Sequence, residues 1–434
     1  MECHVIEHNI PKSAEGTYYT IPFPVPDGLE RVAVFYSYKK LSGPLSGKLR
    51  KPAELLGIVD LGLMDNEGRF LGWSGSARRA VFVGPYASTR GYLMTGVTPG
   101  EWQIIVGAYK IPDPGLDVCY EITYTPKKPR WFSGDLHTHS NASDGQHDAS
   151  GLFKKAAGSG LDFLAISNHN NYTDNLHPPV VPGLTFLPAV EWTHYRGHMN
   201  FFGVQTPFDN SFVANSEAEM LELVKSAREK GALVSVNHPK CTICPYLWES
   251  TDCFDLVEVW NGPMRKVNTN AISWWHEILI GGRRVPLVGG SDYHRDRSLV
   301  RFARPVTRVY ALSPSAGDIL KAVASGHSYI TSSENGARLD LRCGSAMIGD
   351  SVIWQEGLEL IVNATALLPG VRLKLVTSSG DTVPLKRTSA GRVKTRLPVP
   401  AGWRFVYLVA YRRVFGWDYV RAITNPVYFN HDAG

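Results

Sequence analysis

The stretch from Trp131 to Gly145 holds the chain's most concentrated set of reactive side chains. His137 and His139 stand one residue apart, and the carboxylate of Asp144 follows shortly after them. On an extended segment alternate side chains point to the same face, so the two imidazoles would lie side by side. Two imidazoles near a carboxylate can chelate a borderline metal such as zinc or manganese. The competing interpretation of this stretch alone is a pair of exposed strand histidines.

Histidines are concentrated in one part of the chain. Of the 14 histidines, ten lie between His137 and His294. That density argues against histidines scattered at random over the surface. Six imidazoles and three carboxylates are enough ligands for two or three divalent ions, provided that one carboxylate bridges. In chain order, the candidate ligands are His137, His139, Asp144, His169, Glu191, His198, His238, Asp292 and His294.

The residues around these candidates predict alternating helices and buried strands. Short apolar runs end in polar residues at Asn168-His169-Asn170, at Asn237-His238-Pro239 and at Gly289–His294. Periodic apolar residues predict helices at 148–160, 216–230, 268–280 and 313–326. Buried strands that alternate with helices indicate a parallel α/β sheet or barrel. In such barrels the chemistry lies at the C-terminal ends of the strands, and the candidate ligands fall there.

The flanking segments have a different pattern. Before about residue 125, and again after about residue 334, short runs rich in Val, Ile and aromatic residues are separated by Gly, Pro and Asp. This spacing predicts a β-sandwich on each side of the α/β segment. The polar, Pro-bracketed stretch Thr125–Arg130 is a plausible domain boundary. The predicted domains are 1–128 and 334–434 as sandwiches and 129–333 as the α/β domain with the active site.

Composition argues against several classes of protein. The net charge of +5 is small for 434 residues, and no long Lys/Arg run accompanies it, which argues against nucleic-acid binding. The N-terminus has no apolar signal-peptide core, and no apolar run could span a bilayer. Six cysteines do not make a disulfide framework in so long a chain, so a cytoplasmic location is expected. Cys241 and Cys244 form a C-x-x-C that lacks the second pair of a separate zinc site.

The ordered motifs resemble those of the PHP (polymerase and histidinol phosphatase) superfamily of metallohydrolases. The combination of Gly134–Ser140, Gly197–Asn200 and Val257–Gly262 is most similar to its CehA/McbA branch, and segments of both flanking domains are similar as well. The motifs that carry the resemblance are His137-x-His139, Ser143-Asp144-Gly145, Asn168-His169-Asn170, Glu191 with Gly197-His198, Asn237-His238-Pro239 and Ser291-Asp292-x-His294.

The resemblance implies a distorted (β/α)7 barrel with a trinuclear metal site. It places His137, His139, Glu191 and Asp292 on the first ion. Glu191 as a bridge, with His198 and His238, would hold the second ion, and Asp144, His169 and His294 would hold the third. The family usually has Asp before its second-motif histidine, where this chain has Asn168. If that Asp orients the imidazole as a hydrogen-bond acceptor, Asn168 would do so more weakly, so the third ion has the weakest support. His194 competes with His198 for the second ion, and the Gly197-His198-x-Asn200 context favours His198.

The expected activity is hydrolysis of an ester by a metal-bound hydroxide, with two or three Zn, Mn or Fe ions as cofactors. Glu191, Asp292 and His238 are the expected catalytic residues. Asn261, Tyr293, Lys240 and Arg265 lie at or after strand ends and are candidate substrate contacts; for the two cations, simple solvation is the alternative. A small organic phosphate is the first expected substrate, because clustered cations suit phosphoryl oxygens. A carboxyl or carbamate ester, as for a carbaryl hydrolase, is the alternative, and a non-catalytic metal-binding scaffold or a nuclease are rivals.

Overall fold

A computed structural model of the chain describes residues 3–40, 56–296, 299–386 and 391–430. It divides into two compact units, Met1–Lys128 and Pro129–Gly434. The division coincides with the polar stretch that the sequence marks as a boundary. Among the described residues, no helix combines the length and the apolar character needed to cross a lipid bilayer.

The N-terminal unit consists of two four-stranded antiparallel sheets that share one hydrophobic core. Alternating burial produces that core, since every second side chain of a strand points inward. The last strand shows the pattern most clearly, with Leu116, Val118, Tyr120 and Ile122 buried. The strands are β1 (Cys3–Pro11), β2 (Tyr18–Val25), β3 (Leu29–Tyr38), β4 (Ile58–Met64), β5 (Phe70–Gly75), β6 (Ala80–Val83), β7 (Gly100–Lys110) and β8 (Gly115–Pro126). Their orders are β1-β8-β3-β6 and β2-β7-β4-β5.

The second unit is a mixed α/β structure with many strands and few helices. Its strands are β9 (Arg130–Asp135), β10 (Phe163–Ile166), β11 (Thr185–His194), β12 (Gly197–Phe202), β13 (Leu233–Asn237), β14 (Leu256–Asn261), β15 (Leu287–Gly290), β16 (Val306–Ala311), β17 (Ser328–Thr331), β18 (Arg338–Cys343), β19 (Ala346–Met347), β20 (Ser351–Ile353), β21 (Glu359–Thr365), β22 (Val371–Thr377), β23 (Thr382–Leu385), β24 (Val393–Pro398), β25 (Phe405–Val414), β26 (Trp417–Thr424) and β27 (Val427–Asn430). Its helices are α1 (Ala149–Gly158), α2 (Thr173–Leu176), α3 (Glu217–Glu229), α4 (Lys266–Ile280) and α5 (Ala316–Ala324).

Four of these helices lie within two or three residues of the predicted ones. Side chains at their N-termini explain where three of them begin: Asp148 accepts from the backbone N–H of Gly151, Ser216 from Glu219, and Ser315 from Asp318. Each such bond satisfies one of the amide groups that the first helical turn leaves unpaired.

The large sheet runs in the order β15-β14-β13-β12-β11-β10-β9-β16-β17-β26-β25-β22-β23. The central pairs β9–β10–β11 and β13–β14–β15 are parallel, as predicted. However, β12 is antiparallel to both of its neighbours, and β16 is antiparallel to β9. The described residues therefore form a mixed sheet, and its closure into a (β/α)7 barrel stays a prediction.

Residues after 333 belong to the same compact unit as the helical segment. The large sheet extends across the predicted boundary between residues 333 and 334, because Tyr329 of β17 pairs with Thr424 of β26. A second sheet of this region has the order β19-β18-β21-β24 and shares a core with β25 and β22. The separate C-terminal sandwich domain stays a prediction.

Candidate metal centre

The ends of the central strands bring the candidate ligands together. His137 and His139 follow β9 directly, and Thr138 between them pairs with Tyr293 after β15. The backbone N–H of Asp292 donates to the carbonyl of His137 at 2.8 Å, and that of His139 donates to Tyr293 at 3.0 Å. These hydrogen bonds fix the His-x-His segment against the Asp292 segment.

Asp135, at the end of β9, anchors this junction. Its carboxylate accepts from the backbone N–H groups of Ser291 at 2.8 Å, His137 at 3.2 Å and Ala303 at 3.1 Å. Complete burial raises the pKa of Asp135 to about 6, although these hydrogen bonds oppose the shift. Asp135 was not among the predicted site residues. Its position before the His-x-His pair was the available signal.

Three candidate segments adopt a backbone conformation that non-glycine residues rarely take. Asn170, His238 and Asp292 have φ values of 48°, 30° and 53°. Each lies just after a strand, where such a bend turns the chain sharply. Strained backbone of this kind clusters at functional sites, where surrounding contacts enforce it.

Glu191 of β11 lies at the middle of the cluster and is fully buried. Its Oε1 atom faces His137 Nε2 at 3.3 Å, His198 Nδ1 at 3.2 Å and His238 Nε2 at 3.3 Å. Its Oε2 atom faces two other imidazoles, His139 at 3.5 Å and His169 at 2.8 Å. The two oxygens of one carboxylate thus face two different sets of histidines.

The carboxylates of Asp292 and Asp144 also face imidazoles of the cluster. Asp292 Oδ1 lies 3.4 Å from His137 Nε2 and 3.1 Å from His139 Nε2. Asp144, which is half exposed, has its Oδ1 atom 3.3 Å from His294 Nε2 and 3.6 Å from His169 Nε2. Asp144 Oδ1 is also 4.0 Å from His139 Nδ1, so the two carboxylates face different nitrogens of the His139 ring.

The buried polar atoms of this cluster test whether metal ions fit. Among the described residues, His137 Nε2, both ring nitrogens of His139 and Glu191 Oε2 are buried and make no hydrogen bond of acceptable geometry. Buried polar atoms without partners are costly unless a ligand or ion satisfies them. These donor atoms, nitrogen and carboxylate oxygen, suit zinc, manganese or iron. The residues present fit a divalent metal centre.

Ligand atoms within 4.8 Å of one another form five groups among the described residues, and every predicted ligand appears in at least one. The groups are His139, Asp144, His169 and His294; His198, His238 and Cys244; His137, His238 and Asp292; His137, His139 and Glu191; and His169, Glu191 and His198. Cys244 is the only member of these groups that was not predicted to be a ligand. All of these groups lie between His137 and His294, and their roles as ligands stay a prediction.

The other candidate residues lie as follows. His194 belongs to none of these groups; its ring packs on Trp192 and Trp248. Asn261 is buried and donates to Glu258 Oε2 at 3.2 Å and to Asp292 Oδ2 at 3.3 Å. Tyr293 is buried, and its hydroxyl donates to Asp296. The Lys240 ammonium lies 4.8 Å from the centre of the Trp274 ring, and Arg265 is exposed at the start of α4. The substrate contacts stay predictions.

Asn168 has a role other than the one inferred for an aspartate at this position. Its Oδ1 atom accepts from the backbone N–H of Ser140 at 2.8 Å and from the Ser143 hydroxyl at 3.0 Å. Its Nδ2 atom donates to Asp174 at 2.8 Å. The side chain therefore holds the turn that carries Asp144. The His169 ring instead contacts Thr193, with Nδ1 2.6 Å from Oγ1.

The charges of the cluster are strongly coupled. Burial raises the pKa of Glu191, but the surrounding imidazoles, His137 first, outweigh it and hold that pKa well below its ordinary value. Burial lowers the pKa of His238, yet Glu191, Glu258 and Asp292 together raise it to about 9. For His139, burial dominates and lowers the pKa to about 4. Before metal binding, a buried carboxylate is thus balanced by protonated imidazoles.

Metal binding should consequently release protons. His238 is protonated below about pH 9 in the metal-free cluster, and a coordinating imidazole nitrogen must be unprotonated. We expect metal affinity to rise with pH up to about 9, by about tenfold per unit for each displaced proton. Calorimetric titration with zinc in two buffers of different ionisation enthalpy counts the protons. Equal heats in both buffers would exclude proton displacement.

Glu258 of β14 orients one of the imidazoles and was not predicted to have a role. Its Oε1 atom lies 3.0 Å from His137 Nδ1, and its Oε2 atom accepts from the backbone N–H of His238 at 3.0 Å. An imidazole that donates Nδ1–H to a carboxylate keeps Nε2 unprotonated and directed at the metal position.

Glu258→Gln should therefore weaken metal binding without removing a ligand. We expect metal affinity to fall by about 10–100-fold, the usual effect of losing a carboxylate that orients a ligand. Competition with a chromophoric chelator measures the change. Glu222→Gln, on the exposed face of α3, is the matched control and should bind like the parent protein. Unchanged affinity in Glu258→Gln would contradict the orienting role.

A cavity of about 760 Å³ opens beside the cluster. His198 and Cys244, which belong to the groups above, are among its lining residues. The lining also includes the apolar residues Phe212, Val213 and Ile243. No Asp, Glu, Lys or Arg side chain is among its described lining residues, which are Asn170, Thr193, His194, Tyr195, His198, Phe212, Val213, Ala214, Asn215, Ile243 and Cys244.

No family model matches the chain, and no curated protein matches it either. Several solved structures are similar to it. A two-domain protein from Bacteroides vulgatus, containing a predicted PHP-like metal-dependent phosphoesterase, is 18% identical over 68% of this chain and 95% of its own, with a TM-score of 0.40. PsfC from Pseudomonas syringae is 14% identical over 42% of this chain and 83% of its own, with a TM-score of 0.33. An amidohydrolase from Chromobacterium violaceum is 14% identical over 38% of this chain and 89% of its own, with a TM-score of 0.26. At such identities and scores, the likeness does not assign the chain to a family.

Proposed function

We propose that this protein is a metal-dependent ester hydrolase of the PHP type, within the CehA/McbA branch. The observation that carries the proposal is the position of Glu191, whose two carboxylate oxygens face two different sets of imidazoles. A carboxylate so placed can bridge two cations. The unpartnered buried atoms of His137 and His139 support the same conclusion.

Two or three divalent ions would be held by the nine predicted ligands. His137, His139, Glu191 and Asp292 would hold one ion. Glu191, His198 and His238 would hold the second. Asp144, His169 and His294 would hold the third, with His139 within reach of that group as well. When bound, such ions supply an activated water nucleophile and positive charge for the oxygen on which negative charge develops.

The protein's own residues would position and stabilise this chemistry. Glu191 and Asp292 place fixed negative charge between the imidazoles, which keeps neighbouring cations together. His238 lies beside Glu191 and next to the cavity wall formed by His198 and Cys244. Asn261, which donates to Asp292, is placed to orient that carboxylate. Lys240 and Arg265 remain candidates for an anionic part of the substrate.

A phosphoester of a small organic molecule is the substrate we propose first. A centre with several divalent cations can neutralise the charge of phosphoryl oxygens, which a single ion or one Lys would do only in part. A small-molecule substrate also fits a cavity of 760 Å³ better than a polymer would.

The apolar lining of the cavity favours a second candidate function, hydrolysis of a carboxyl or carbamate ester. The cavity lining offers an uncharged surface at Phe212, Val213 and Ile243, together with His198. The part of the ester that contacts this surface would be apolar. The same activated water could attack a carboxyl carbon instead of phosphorus. The two candidates differ in the reacting centre rather than in the cavity.

A matched set of substrates separates these functions. Zinc- or manganese-loaded protein is assayed with 1-naphthyl phosphate, 1-naphthyl methylcarbamate and glucose 6-phosphate. The first two share the naphthyl group and differ in the group transferred to water, which is phosphoryl in one and methylcarbamoyl in the other. We expect turnover of naphthyl phosphate, with glucose 6-phosphate slower because no charged side chain lines the described cavity. Turnover of the carbamate alone would support the second candidate. Failure to hydrolyse either naphthyl compound would contradict the proposed function.

A further inference from the structure

A pair of cysteines lies next to one of the proposed metal ligands. Cys241 and Cys244 are half-buried free thiols in the segment that follows β13. The two sulfur atoms are 3.3 Å apart, with the Cys244 thiol donating to Cys241 Sγ. Cys244 also lines the cavity beside the metal centre, so small solutes reach this pair from solvent.

Cys244 contacts His238 on the side of the ring that faces away from Glu191. Its Sγ atom is 3.6 Å from His238 Nδ1, whereas His238 Nε2 is 3.3 Å from Glu191 Oε1. A ring that uses Nε2 as a ligand carries its proton on Nδ1, so Nδ1–H donates to the sulfur. The sulfur takes the place that Glu258 takes for His137.

We infer that Cys244 is a positioning residue for His238, and that Cys241 and Cys244 form a dithiol that peroxides oxidise reversibly to a disulfide, which weakens metal binding. The inference rests on the proposed function, because His238 must be a metal ligand for the coupling to exist. C-x-x-C pairs commonly undergo this reaction. The 3.3 Å contact places the two sulfurs within a small movement of bonding.

The reaction balances with one peroxide for each pair. One sulfur attacks a peroxide oxygen, the O–O bond breaks, and a sulfenic acid forms with loss of water or alcohol. The second thiol attacks the sulfenic sulfur, the S–S bond forms, and water leaves. Two S–H bonds are lost in total. Both sulfurs are oxidised, and both peroxide oxygens are reduced.

Formation of the disulfide removes the acceptor of His238. The sulfurs must close from 3.3 Å to about 2.05 Å, which draws Cys244 towards Cys241. A disulfide sulfur is also a weaker acceptor than a thiol that is itself donating. His238 then loses the contact that keeps its proton on Nδ1, and its Nε2 atom is less available to an ion.

The experiment compares reduced and peroxide-treated full-length protein loaded with zinc. Free thiols are counted and intact mass is measured, while chelator competition gives the zinc affinity in each state. We expect a loss of two thiols and two hydrogens of mass, and affinity lower by about tenfold or more. Dithiothreitol should restore the two thiols and the parent zinc affinity. Untreated Cys241→Ser should keep the parent affinity, and with peroxide it should form no disulfide at this pair. Cys3→Ser, which removes an exposed thiol elsewhere, should respond like the parent protein.

Each of three results would contradict a different part of the proposal. If peroxide leaves Cys241 and Cys244 as thiols, or drives them to sulfinic acids, the dithiol is rejected. If the disulfide forms and zinc affinity is unchanged, the positioning role of Cys244 is rejected. A protein that binds no zinc in either state contradicts the proposed function and the coupling, whereas the thiol count still decides whether the dithiol forms.

Discussion

Glu191→Gln should empty at least one metal position and reduce hydrolysis by at least about 100-fold. The substitution removes one negative charge that faces five imidazoles through two oxygens. Neighbouring cations repel strongly in a site shielded from water, and the buried carboxylate offsets that repulsion. Metal analysis of the purified variant, with activity measured on the same sample, checks the prediction.

His169→Ala is the comparison variant. Among the described carboxylates, His169 faces Oε2 of Glu191 and the half-exposed Asp144, so its loss should affect one position and leave the others filled. Activity should fall while about two ions remain per chain if three bind in the parent. If His169→Ala loses all metal while Glu191→Gln keeps its full complement, the bridging role of Glu191 is wrong.

Gly290→Ala should damage the centre without altering any ligand. A Cβ atom at Gly290, the last residue of β15, would lie 2.4 Å from His137 Cβ and 2.7 Å from the His137 backbone nitrogen. Something must move, and the His137 segment is hydrogen-bonded on both sides. We expect a loss of about 1–3 kcal/mol in the free energy of unfolding, the usual effect of overpacking, and a clear loss of bound metal. Denaturant unfolding and metal analysis provide the two measurements.

Gly317→Ala is the matched control for that substitution. Gly317 lies in α5, and a Cβ atom there would meet nothing within 4 Å. Alanine in a helix should therefore be neutral or should stabilise the protein by about 0.5–1 kcal/mol, with metal content unchanged. If Gly290→Ala unfolds and binds metal like this control, then the close approach of β15 to His137 does not shape the centre.

The sequence was sufficient to predict that the candidate ligands lie close together. Buried strands that end in polar residues place those residues at one edge of a sheet, and the segments at His169, His238 and Asp292 all have that form. The starts of α1, α3 and α5 were predictable to within three residues as well, because their Asp and Ser N-caps are local in sequence.

Contacts between distant residues were not predictable in this way. Glu258 and His137 are 121 positions apart, so only the folded arrangement shows that they share a hydrogen bond. The same holds for Asp135 with Ala303 and for Thr193 with His169. Nothing local marks an interior carboxylate as the partner of one particular imidazole.

The sheet topology also departs from the alternating pattern. The β11–β12 hairpin turns at Tyr195-Arg196, which are not typical turn residues, and only Gly197 with φ 132° marks the return. That hairpin places an antiparallel strand among the parallel ones and brings His198 opposite Thr193. A regular helix–strand alternation would not have predicted either feature.

The central claim is that hydrolysis depends on ions held by these residues, and stepwise reconstitution tests it most directly. Metal is removed with a chelator, its absence is verified by elemental analysis, and zinc or manganese is returned in known amounts while 1-naphthyl phosphate or 1-naphthyl methylcarbamate hydrolysis is followed. The account predicts no activity in the metal-free protein and recovery that is complete only after two or more ions are bound per chain. Full activity in protein shown to be free of metal would contradict it.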